Sequence, residues 1–186
     1  MPKIILASTS PRRRELLSSL GIEFEVVPSL KEEVVDETLD FHEVVMDLAQ
    51  LKSEDVATNY PNHLVLGFDT LVIYKDHILG KPKDRKDAKR MLSMLSGKSH
   101  VVMTGCSLTY KGKTTRFYDE TVVHFNVLSD SEVETYLDTK EPFDKAGAYG
   151  IQGHAARFVN GIEGDYYTVM GMPISKLYNY LKLYRD

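Results

Sequence analysis

The stretch KIILASTSPRRRELLSSLG, residues 3–21, sets the reading of the chain. Lys3–Ala7 is an apolar run that stops abruptly at hydroxyls, which predicts a short buried strand. Ser10 suits an N-cap and Pro11 the first helical position. Leu16, Leu17 and Leu20 then share a helical face, and Gly21 is a natural stop. The opening is therefore strand, turn, helix. The turn carries Arg12, Arg13 and Arg14 in succession, although the formal net charge of the chain is −4. Cations in a first helical turn cost from a few tenths to about 1 kcal/mol, because that end of the helix is already positive. A bound anion would offset that cost. The free N–H groups of the helix start, hydroxyls at Ser8 and Ser10, and the forked donors of Arg12 and Arg13 suit phosphate. A solvated basic turn is the other reading, and Arg14 is placed on the solvated side.

Working outward, Phe24–Val27 reads as a second strand, followed by an acidic stretch from Lys31 to Asp40. A helix begins near Asp40, with Glu43 in capping-box spacing and Val45, Leu48, Ala49 and Lys52 on one face. Leu64–Phe68 and Leu71–Tyr74 read as strand interrupted by Asp69-Thr70. Asp84–Leu95 is an amphipathic helix, with Ala88, Met91, Leu92 and Leu95 facing inward. His100–Tyr110 and Thr114–Phe125 pair around Lys111-Gly112-Lys113. Ser129 with Glu132 caps a helix, a glycine-rich segment spans Lys145–Gly153, and a last helix covers about Ile174–Tyr184. Alternating strands and helices with one hairpin predict an α/β fold with a mixed sheet. With no internal repeat, low-complexity tract or linker, residues 1–186 are expected to form a single domain.

Composition narrows the function classes. No stretch approaches the roughly 18–20 apolar residues of a membrane span. The N-terminus turns polar too soon for a signal peptide. Cys106 is the only cysteine, which suits a reducing, cytoplasmic setting and, placed in a strand, reads as core. The acidic balance argues against a nucleic-acid surface.

Several side chains could carry chemistry. Lys52 lies on an apolar helix face, so it either snorkels to water or points into a cleft. In LGFDTLV, residues 66–72, Asp69 stands beside a hydroxyl within strand-forming residues, where a metal ligand, a general base or a turn aspartate is found. Gly80-Lys81-Pro82 holds a lysine in a rigid turn, and Glu32-Glu33 is an acidic pair of which Glu33 is a candidate metal ligand. DKAGAYGIQG, residues 144–153, has glycines at 147, 150 and 153, which let backbone approach a ligand closely, and Gln152 could pair with a base edge. Ser96-Gly97-Lys98-Ser99 is not a phosphate loop, because the first glycine of that motif is replaced by Leu92.

Taken in order, S-x-S-P-R-R, G-x-D-T-x-V, G-K-P, M-L-x-x-L-S-G-x-x-H-x-V-x-T-G (residues 91–105) and D-K-A-G-A-Y-G-I-Q-G closely resemble the Maf family, from Lys3 to about residue 181. The resemblance implies an elongated mixed β-sheet with flanking helices, two lobes around a cleft, in the manner of inosine triphosphate pyrophosphatase. It implies cleavage of a nucleoside triphosphate to the monophosphate and pyrophosphate with Mg²⁺ or Mn²⁺. Arg12, Thr70 and Gln152 match the branch acting on dTTP and UTP rather than the 7-methyl-GTP branch. Carried over, Asp69 is the proton acceptor and a metal ligand with Glu33. Ser8, Arg13, Lys52, Lys81 and Lys145 bind phosphate. Modified pyrimidine nucleotides are further expected substrates, which would make the role house-cleaning. A non-catalytic nucleotide-binding regulator of septum formation is the alternative, and a homodimer is an expectation for which the sequence carries no decisive interface signal. One departure is Asp165, which stands where the family has a small residue.

Overall fold

The computed structural model describes residues 1–36 and 38–185. Glu37, part of the acidic stretch, lies outside the described residues. Among the described residues seven strands form one sheet: β1 (Ile4–Leu6), β2 (Phe24–Val26), β3 (Leu64–Tyr74), β4 (His77–Leu79), β5 (Ser99–Tyr110), β6 (Lys113–Phe125) and β7 (Val159–Glu163). The helices are α1 (Pro11–Ser19), α2 (Phe41–Ala57), α3 (Arg85–Leu95), α4 (Asp130–Asp138), α5 (Tyr166–Met170) and α6 (Ile174–Leu181). The sheet order is β2-β1-β3-β5-β6-β7, and β4 pairs with β3. β1 runs parallel to both β2 and β3, whereas β4 on β3 and β7 on β6 are antiparallel. The sheet is mixed, with flanking helices, as the alternation of elements requires.

The chain forms two compact units. One holds Met1–Thr70, Thr104–Asp119 and the chain from Gly171 onward; the other holds Leu71–Met103 and Glu120–Met170. In the first, Ile5, Ala7, Val56 and Val65 are buried together. In the second, the predicted face of α3 packs with Val123, Phe125, Tyr136, Tyr149 and Phe158.

Three details position the site. The order β2-β1-β3 sends the first crossover one way and the second the other. Right-handed connections then place α1 and α2 on opposite faces, and β3, paired with β1 only over Leu64–Leu66, runs on past the carboxyl end of β1 with Asp69 and Thr70. Second, α2 lies directly on the sheet. A Cβ at Gly67 of β3 would stand 2.2 Å from Ala49 O, and one at Gly105 of β5 would stand 2.2 Å from Val45 O. Third, β3 is continuous through Asp69 and Thr70, so the expected strand break does not occur. The lysine and arginine partners described below satisfy both side chains within the strand and override the low strand preference of aspartate.

Other departures have local causes. The capping box at Asp40 does not form; Asp40 is the N-cap but makes no side-chain bond. Glu43 instead pairs with Arg116 of β6 at 2.9 Å. The capping box at Ser129 and Glu132 is present in full. Asp165 caps α5: its carboxylate accepts from the N–H groups of Tyr167 (3.3 Å) and Thr168 (3.1 Å). Among the described residues no helix is long and apolar enough to cross a membrane.

Candidate active site

The first unit brings together seven of the predicted residues. Ser10 caps α1 by accepting from Arg13 N–H at 3.4 Å, and Pro11 follows it at the helix start. This turn aims Arg13 back at the sheet. Its Nε donates to Gly171 O at 2.9 Å, its Nη2 to Thr70 Oγ1 at 2.9 Å and its Nη1 to Ser8 Oγ at 3.4 Å. The guanidinium carbon lies 5.8 Å from the centre of the Phe68 ring. Thr70 Oγ1 also bonds Thr104 Oγ1 at 3.0 Å. Gly171 has φ +100°, and a Cβ there would press on Thr70 Oγ1 and Arg13 Nε. Only glycine suits that place. Arg14 is exposed, as expected. Arg12 is half-buried, and its Nε is buried without a hydrogen-bond partner among the described residues.

Strand alternation puts Phe68 and Thr70 on the face that Arg13 meets, and Gly67 and Asp69 on the face covered by α2. Lys52 comes from α2 and takes the cleft reading rather than the snorkel. Its Nζ donates to Asp69 Oδ1 at 2.6 Å and to Phe68 O at 3.4 Å, and pairs with Glu33 Oε1 at 3.0 Å. Asp69 is 8% exposed. Burial is the largest influence on its carboxyl and raises the pKa; Lys52 and Arg13 oppose that rise. Burial likewise lowers the Arg13 pKa, and Asp69 is the chief opposing influence. Cys106 is fully buried and burial pushes its thiol pKa up, so it is core and not a nucleophile.

Glu33 and Asp69 are two hard oxygen donors drawn to one cation, which is the donor set that Mg²⁺ or Mn²⁺ takes when substrate phosphates complete its shell. Among the described residues no group of three or more His, Cys, Asp or Glu forms a metal cage. The residues therefore fit an ion shared with a ligand, held by these two carboxylates.

The remaining three predicted residues belong to the second unit. Gln152 and Lys81 are exposed. Lys145 is held within its own unit, donating to Glu141 O at 2.9 Å and Asp144 Oδ1 at 2.8 Å. Gly147 N–H donates to Gly80 O at 3.1 Å, which ties the glycine-rich segment to the turn carrying Lys81. Tyr149 is buried and its hydroxyl bonds His100 Nε2 at 2.6 Å. Thr104 and Gly171 belong to the site without a signature in residue type: Gly171 holds Arg13 through its carbonyl, and Thr104 bonds the Thr70 hydroxyl that Arg13 meets.

An α/β protein that gathers arginines, a lysine and two carboxylates on β3 beyond the end of β1 has the chemistry of a phosphate-handling protein. The chain belongs to the Maf family: the model for Maf-like protein matches residues 3–184. It is 50% identical over 182 residues to a Bacillus cereus protein named dTTP/UTP pyrophosphatase, covering 98% of this chain and 95% of that one. A Bacillus anthracis protein of the same name matches equally, at 50% identity over 98% of this chain and 95% of its own. The fold is shared with the solved structure of the Staphylococcus aureus Ham1 protein, with a TM-score of 0.56, 14% identity, and coverage of 98% of this chain and 100% of that one.

Proposed function

We propose that this chain hydrolyses dTTP and UTP between the α- and β-phosphates, giving the nucleoside monophosphate and pyrophosphate. The observation that carries the reading is Lys52 Nζ held between Glu33 and Asp69, at 3.0 and 2.6 Å, where β3 runs on beyond the end of β1. The names of the 50%-identical relatives support the same activity. A divalent cation, when bound by Glu33 and Asp69, would supply charge neutralisation at the phosphates.

The chain's own groups do the rest. Lys52 occupies Asp69 Oδ1, which leaves Oδ2 to take a proton from water as the water oxygen attacks the α-phosphorus. The bond from that phosphorus to the bridging oxygen breaks, and pyrophosphate leaves with the electron pair. Arg12, whose Nε lacks a partner, and Arg13 stabilise the charge on the phosphates together with Lys52, Lys81 and Lys145. Ser8 supports Arg13 and keeps its own proton for a phosphate oxygen. Thr70 acts through its hold on Arg13. Gln152, exposed on the glycine-rich segment, carries the donor and acceptor pair that matches the imide edge of uracil or thymine. The cytoplasm, where a lone thiol stays reduced, is the proposed setting.

Phosphorus NMR of the products from UTP with Mg²⁺ tests the reading. The expected products are UMP and pyrophosphate. Formation of UDP and orthophosphate would overturn it.

A further inference from the structure

Gln152 is followed by a backbone anchor, and the anchor leads to one carboxylate. After it, His154 N–H donates to Glu141 Oε2 at 3.1 Å. Gly153, between them, has φ +88°, and a Cβ there would lie 2.8 Å from Glu141 Oε2. The carboxylate thus packs flat on a backbone that only glycine allows. On its other oxygen, the same carboxylate accepts from the Tyr136 hydroxyl, Oε1 at 3.1 Å. Tyr136 is fully buried among Phe158 and the α3 face, so this anchor is rigid. The Glu141 carbonyl meanwhile accepts from Lys145 Nζ at 2.9 Å. One residue therefore holds the base-reading segment with its carboxylate and a phosphate-binding lysine with its backbone.

We infer that Glu141 is a positioning residue for base selection: its carboxylate, bridging Tyr136 and His154, fixes the backbone that follows Gln152 so that the amide meets the base edge in one orientation. This rests on the proposed role of Gln152. Selectivity between UTP and CTP depends on which of the amide's donor and acceptor faces each position of the base edge. A segment released from this anchor lets the amide turn, and the discrimination falls without any group having been removed from the substrate's reach.

The test uses the full-length protein and its variants Glu141→Ala, Glu141→Gln, Gln152→Ala and the Glu141→Ala/Gln152→Ala double variant. The ratio of kcat/KM for UTP to that for CTP is measured for each, together with amide hydrogen exchange over residues 149–155 and thermal midpoints. Glu141→Ala is expected to lower the UTP:CTP ratio about tenfold, the scale of a misplaced hydrogen-bonding group. Exchange over 149–155 should rise in that variant. Glu141→Gln, which keeps an acceptor and folds with a near-isosteric side chain, is expected to restore most of the ratio. The double variant should show no further loss beyond Gln152→Ala, as residues acting through one contact do. A Glu141→Ala protein that slows UTP and CTP alike, or leaves exchange over 149–155 unchanged, overturns the inference while the role of Gln152 stands. A Gln152→Ala protein with the wild-type ratio overturns the role of Gln152 and the inference with it.

Discussion

Lys52 Nζ sits 2.6 Å from Asp69 Oδ1, with both side chains nearly buried, at 15% and 11% exposure. A long helix side chain and a strand carboxylate meet because Gly67 lets the backbone of α2 rest on β3 two residues before Asp69. The pair is costly to bury, and Glu33 leaves the three groups with a net negative charge: it attracts Lys52 and pushes the Asp69 pKa up.

Asp69→Asn should lower kcat by 10²–10⁴-fold, the usual range for loss of a general base. It should not lower the thermal midpoint at pH 7–8. The folded-state pKa of Asp69 is raised, so the native state holds that proton more tightly than the unfolded chain does. Ionisation at neutral pH therefore costs stability, and that cost vanishes as pH falls below the unfolded value. Thermal melts at pH 7.5 check this; a fall of several degrees would contradict it.

Lys52→Met should behave oppositely. It leaves the Asp69 carboxylate buried without its main cation, and removing one partner of such a pair costs about 1–3 kcal/mol at a partly hydrated site. The double variant Lys52→Met/Asp69→Asn should recover most of that loss. Denaturant melts of the two single variants and the double variant close the cycle; additive losses would show that the pair is not coupled.

His100 is buried, and burial lowers its pKa to about 4. Below pH 6.5 the unfolded chain takes up a proton that the native state refuses. Stability should fall from pH 6.5 down to about 4 and then level off, by a total of ~3 kcal/mol from this group. In His100→Phe the loss over the same window should shrink by that amount. Unfolding free energies at pH 7, 5.5 and 4.5 decide it; equal slopes in the two proteins would contradict the assignment.

Helix seating gives a contrast in glycines. Gly67→Ala drives a methyl into the Ala49 carbonyl and should cost about 3 kcal/mol or more. Gly161→Ala meets no atom within 4 Å and should change stability by less than about 0.5 kcal/mol. Chemical melts of both variants measure the difference.

How far these features could be read beforehand depends on their range. The α1 cap at Ser10 and Pro11, the inward face of α3 and the Ser129 capping box are set by neighbours within four residues, and all three are found. Asp69 read as a strand break because propensity knows nothing of Lys52, seventeen positions away in sequence but bonded to it. The Asp40 box failed because Glu43 prefers Arg116, seventy-three positions on. β4, β7 and α5 are three to five residues long, too short for periodicity to register. Residue types pointed to Arg13, Lys52 and Asp69, but not to Gly171, which serves Arg13 through its carbonyl.

The most direct test of the central claim is pyrophosphate release from a panel of nucleoside triphosphates, with Mg²⁺ or Mn²⁺, by the wild-type protein and Asp69→Asn. The account predicts release from UTP and dTTP well above that from purine nucleotides, and its loss in the variant. Release that is equal in both proteins, or confined to purine nucleotides, would contradict it.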